Sequence, residues 1–137
     1  MKKTIFILIA AALAVLLTAC APSAPAQPEV DLTQMSSTMK YSEVYNMLTT
    51  PENYIGKQVK MAGTFAVYEG ENRSYYACVI ADASACCSQG IEFVLGGDAA
   101  YPEDYPAVGE YITVTGVFDS YTEGALKYCQ LIEAEII

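Results

Sequence analysis

Cys78, Cys86, Cys87 and Cys129 are the residues most able to do chemistry in this chain, spaced C-x7-C-C-x41-C. Four cysteines can close disulfides, with three possible pairings for two bridges. They can also hold a zinc ion as four thiolates. This spacing matches no common zinc module, and two adjacent ligands are unusual in one. A bridge between the neighbours Cys86 and Cys87 is disfavoured, because their Cα atoms are about 3.8 Å apart, short of the usual disulfide range. Three alternatives stand: a structural disulfide or thiol pair joining Cys86 or Cys87 to Cys129; a metal (zinc) or redox site using three or four of the thiols; and inert buried thiols. Alternation with Tyr76 and Ile80 marks Cys78 as a small core residue.

Other chemistry is sparse. The chain has no histidine, which removes the commonest general base and the commonest metal ligand. A Ser/His/Asp arrangement is therefore impossible. Asp82, Glu92, Asp98, Asp104 and Asp119 follow no EF-hand spacing. Gly96-Gly97 belongs to no phosphate-loop pattern and reads as the end of a strand. No catalytic residue is assigned, and the chain reads as a non-enzyme.

These residues must be delivered to a compartment and placed on elements. Residues 1–20 read MKKTIFILIAAALAVLLTAC. Lys2 and Lys3 form a basic start, and Ile5–Leu17 is an apolar run too short to span a bilayer comfortably. The run ends in Leu17-Thr18-Ala19-Cys20, which resembles the lipobox of bacterial lipoproteins. That resemblance implies a signal peptide over 1–19, removed before Cys20, and a diacylglycerol on the Cys20 thiol, with palmitate-type acylation of the new amino group. Two acyl chains, at about 0.8 kcal/mol per buried methylene, anchor a protein stably. The expected location is the extracytoplasmic face of the cell membrane. Residues 20–37, with Pro22, Pro25 and Pro28, are expected to form a disordered tether. Losing Lys2 and Lys3 takes the formal charge from −9 to −11. Such a surface repels nucleic acid.

Residues 38–137 remain for one domain, and all eleven tyrosines lie there. Tyr41, Val44, Tyr45 and Leu48 share one face of a short helix, with Ser37 or Thr38 as cap and Pro51 as terminator. Alternating stretches at 57–69, 74–82, 91–97, 111–121 and 125–137 predict five strands. The fold class is mainly β, with one N-terminal helix. YIGKQVKMAGTF and VGEYITVTGVF share a layout of glycine, alternating strand and Gly-x-Phe. Both resemble the first and fourth strands of OB-fold domains, including the transfer-RNA-anticodon-binding-like and related small OB families. The resemblance covers residues 56–137 and implies a five-stranded OB-like barrel. The helix, the YIGK strand and ADASACCSQGIEFVL also look like uncharacterised lipoproteins of low-GC Gram-positive bacteria, which implies no activity.

In an OB barrel the fifth strand runs parallel to the third. Cys129 is then expected near the start of the third strand, close to Cys86 or Cys87. The OB binding face implies contacts to a protein, peptide or small-molecule ligand through Tyr68, Arg73, Tyr75, Tyr76 and Tyr121. The same tyrosines could instead simply cover the ends of the barrel. Strands that track nucleic acid carry basic and aromatic residues together. Here Lys57, Lys60 and Arg73 face Glu69, Glu71, Asp82 and Glu92, so nucleic acid is not an expected partner.

Overall fold

The computed structural model describes residues 28–137 of the chain. The expected signal peptide, Cys20 and the tether residues up to 27 lie outside the described residues. The fold is mainly β, a six-stranded sheet with one α-helix.

The packed part of the chain begins before residue 38. Strand β1 (Val30–Asp31) pairs parallel with β2 (Gln58–Glu69), Val30 opposite Val59. Val30 is buried and Leu32 fully so. Asp31 caps the 3-10 turn at Leu32–Gln34 by accepting the Thr33 amide at 2.9 Å. Residues 30–36, expected as tether, therefore belong to the fold. Two apolar side chains inserted in the core outweigh the polar, proline-flanked context.

Helix α1 (Ser37–Thr49) is capped by Ser36, one residue earlier than expected, whose hydroxyl accepts the Met39 amide at 3.4 Å. Its buried residues are Val44 and Met47. Tyr45 and Leu48, expected on the buried face, are 55 % and 37 % exposed. The helix is turned so that Met47, not a tyrosine, fills the gap against the sheet. An unbranched thioether adapts to such a space, whereas a buried tyrosine must also find a partner for its hydroxyl.

The remaining strands are β3 (Ser74–Ala81), β4 (Ser88–Leu95), β5 (Tyr111–Glu123) and β6 (Leu126–Ile136). The order is β1-β2-β3-β4-β6-β5, and β5 pairs again with β2. The ladders between the five long strands thus return to their starting strand. β4 and β6 are parallel, with Glu92 opposite Gln130, as the sequence led one to expect for these two strands.

Gly63 shows how one strand serves two partners. β2 pairs with β5 over Gln58–Thr64 and with β3 over Thr64–Glu69. The change of partner falls at Gly63–Thr64. A Cβ on Gly63 would sit 2.4 Å from the Val79 carbonyl oxygen. The missing side chain lets β3 close onto the bent strand. Phe65, Phe93, Phe118, Met61, Ile91 and Leu131 fill the interior, and α1 packs against β3, β4 and β6.

Candidate functional site

Two hairpins build the site. In the β2–β3 hairpin Tyr68 stands opposite Tyr75. In the β5–β6 hairpin Tyr121 stands opposite Tyr128. The hairpins meet where the Tyr75 and Tyr128 rings stack, centroids 6.2 Å apart and planes at 18°. Tyr121 continues the stack on Tyr128 at 5.4 Å and 16°. Cross-strand aromatic pairs stabilise each hairpin, and the stack ties one hairpin to the other.

Beside the stack lies a groove of about 440 Å³, with Tyr68, Tyr75 and Tyr128 as walls and Leu48 of α1 and Lys127 on its lining. Its floor is low because Ala77, Gly90 and Cys129 carry small side chains. A volume of this size suits a small organic ligand or one large side chain.

Arg73, in the turn after β2, locks the far side. Its guanidinium lies 4.3 Å from the Tyr75 ring centroid and 4.9 Å from that of Tyr121. It pairs with Glu92 at 3.3 Å and Glu123 at 3.7 Å, and donates to the Tyr121 hydroxyl. Glu92 is the only buried charged side chain among the described residues, 9 % exposed. A buried carboxylate must be paired and hydrogen-bonded. Glu92 has both, since the Tyr121 hydroxyl donates to it as well. The Tyr75 hydroxyl donates to Glu123 at 2.8 Å.

The ionisation of these groups follows from the contacts. Burial raises the Tyr121 pKa, and the bond to Glu92 and its charge raise it further. The bond to Glu123 raises Tyr75. Burial alone would lower the Arg73 pKa, but the Glu92 charge and the other partners turn the net shift upward. At neutral pH the site therefore holds Arg73 as a fixed cation and Tyr75 and Tyr121 as neutral phenols.

Of the five expected ligand-face residues, four meet here. Tyr68 and Tyr75 wall the groove, and Arg73 and Tyr121 brace it. Tyr76 does not join them. It points to the other side of β3 and packs with Phe65, Tyr105 and Tyr101, at 4.4 Å from Tyr105 and 4.9 Å from Tyr101. Sequence reasoning missed Tyr128, Glu92 and Leu48. A single charge inside the apolar run IEFVL was the available signal for Glu92. The turn at 124–125 puts Tyr121 and Tyr128 in register, which was the signal for Tyr128.

The cysteines do not assemble as expected. All four described cysteines are free thiols. Cys129 is buried, its sulfur 3.8 Å from the Met47 carbonyl oxygen. The β4–β6 register places it beside Ile91, four residues or about 13 Å along the strand from Cys87. A Cys86/87–Cys129 disulfide is absent for that reason. Cys78 is buried in β3, where burial pushes its thiol up to about 12. The two buried thiols are thus separate from the exposed pair, and no four-thiolate site forms from them.

Cys86 and Cys87 lie exposed in the β3–β4 loop, sulfurs 3.5 Å apart. Asp82 joins them. Among the described residues these three form the one group whose ligand atoms lie within 4.8 Å of one another. The Cys86 bond, then burial and the Asp82 charge, raise the Cys87 pKa.

Comparison with protein-family models and with curated proteins finds no match to this chain.

Proposed function

We propose that the chain is a lipid-anchored extracytoplasmic lipoprotein whose long strands form an OB-like barrel serving as a non-catalytic binding module. The anchor rests on the basic start, the apolar run and the LTAC box ending at Cys20. The barrel reading is supported by the ladder of β5 with β2, which returns the five long strands to their starting point, and by the parallel β4–β6 pair. Closing a sheet on itself removes its long edges.

The observation that carries the binding role is the tyrosine-walled groove between the two hairpins. Its occupant is a flat apolar ring, neutral or cationic. Aromatic walls recognise ring faces and cations. Arg73 and Lys127 offset Glu92 and Glu123 locally, and the negative background is that of the acidic chain as a whole, −9 in formal charge. Arg73 is engaged by both carboxylates, so it does not stand ready for a phosphate. The pair and the acidic surface argue against nucleic acid.

The test is an NMR titration of the chain with three probes sharing one ring: indole, tryptamine and indole-3-acetate. Tryptamine and indole shift the ring resonances of Tyr68, Tyr75 and Tyr128, indole-3-acetate binds more weakly, and Tyr128→Ala abolishes the shifts. Absence of shifts at those rings with all three probes would refute the assignment of this groove. For the anchor, Cys20→Ser releases the chain from membranes and ends incorporation of labelled palmitate; unchanged incorporation refutes it.

A further inference from the structure

We propose that the β3–β4 loop is a binding site for a zinc-class divalent cation, held by the thiolates of Cys86 and Cys87 and the carboxylate of Asp82. The sulfurs are 3.5 Å apart. A metal bonded to both at about 2.3 Å would subtend an S–M–S angle of about 100°, near the tetrahedral value. A linear two-coordinate ion with similar bonds would need them about 4.6 Å apart. The sulfur pair is therefore set for a tetrahedral ion. Two soft thiolates with one hard carboxylate suit zinc or cadmium better than calcium or magnesium.

The loop positions the third ligand. Asp82 Oδ1 accepts the Ser84 and Cys86 amides, each at 3.1 Å, and the Ser84 hydroxyl at 3.0 Å. Oδ2 accepts only the Ser84 hydroxyl, at 3.1 Å. One oxygen thus holds the loop and the other is left for a metal. The Asp82 amide donates to the Cys87 carbonyl at 2.9 Å and closes the loop behind the sulfurs. The ligand atoms lie within 4.8 Å of one another. A tetrahedral zinc needs an O–S separation of about 3.6 Å with its ordinary bond lengths, so small side-chain rotations complete the set.

Binding releases the two thiol protons to solvent, and three ligand charges meet a divalent ion. The fourth position opens to water, because both cysteines are exposed. Such a site exchanges its ion rather than stapling the fold. It is independent of the groove: Asp82 follows Tyr75 by seven residues along β3, about 23 Å. Either assignment can fail without the other.

The test uses the full chain in detergent micelles, reduced and stripped of metal, titrated with Co²⁺ as a spectroscopic stand-in and then with Zn²⁺. The expected result is one ion per chain, a thiolate-to-cobalt charge-transfer band, and displacement of cobalt by zinc with proton release. Cys86→Ser and Cys87→Ser each abolish the band, and Asp82→Asn weakens binding about 10–100-fold. Cys20→Ser and Cys129→Ala leave it unchanged. Circular dichroism confirms that the exposed-loop variants stay folded. No charge-transfer band, a band that survives in the Cys86→Ser/Cys87→Ser double variant, or one lost in Cys129→Ala overturns the proposal.

Discussion

Replacing Arg73 by leucine keeps an aliphatic body over Tyr75 and Tyr121 but strips Glu92 of its cation. Glu92 is 9 % exposed and would retain only the Tyr121 hydroxyl. Removing one partner of a fully buried ion pair costs about 3–5 kcal/mol. Arg73 is 41 % exposed, so water reaches the vacated space. That screening reduces the expected loss to about 2 kcal/mol. The reverse change, Glu92→Gln, leaves Arg73 hydrated and still near Glu123, and a glutamine oxygen still accepts from Tyr121. Its cost is about 1 kcal/mol. Combining Arg73→Leu with Glu92→Gln costs less than the two singles together, because no buried charge is then left unpaired. Urea unfolding of the four proteins gives the free energies. A loss of 2 kcal/mol appears as a fall in Tm of about 10 °C for a domain of this size. An Arg73→Leu loss under about 0.5 kcal/mol, the range of an ordinary surface substitution, refutes the reasoning. So does Glu92→Gln proving the costlier change.

Two further outcomes follow from the fold. Gly63→Ala places a methyl group 2.4 Å from the Val79 carbonyl oxygen, a backbone atom that cannot step aside, so a loss of about 2–3 kcal/mol is expected in the same urea experiment, within the range for overpacking; a neutral result contradicts the close β2–β3 approach. Tyr54, half-buried and donating to Glu43 at 2.9 Å, has its pKa pushed up to about 12. Its neutral form is favoured in the folded chain, so its contribution is present below pH 10 and lost as pH climbs toward 12. Tyr54→Phe flattens that alkaline decline; an unchanged slope of stability against pH would count against the Tyr54–Glu43 contact.

The strands were legible because alternation survives in a sheet buried on one side. Val59, Met61, Phe65, Val114 and Phe118 advertise the interior at every second position. The β1 strand was not legible, since two residues cannot show a period, and Leu32 is a single apolar residue among polar ones. The fate of the cysteines turned on a boundary. Cys129 does sit beside Ile91, where the third long strand was expected to start. The strand in fact begins at Ser88, because Ala81 and Ser88 pair to finish the hairpin. With residues 88–90 extended in the strand, Cys87 lies about 13 Å from the position beside Cys129. Tyr76 could have been placed inward from its alternation with the buried Cys78 and Ile80. The Arg73–Glu92 pair could not, because it joins strands that are neighbours only after the sheet has formed.

The groove is the centre of this account, and nuclear Overhauser contacts between selectively labelled Tyr75 and Tyr128 rings test it most directly, first in the free chain and then with tryptamine added. The expected result is contact between the two rings, with the added indole contacting both. Rings that show no mutual contact, or an indole that finds neither of them, would contradict it.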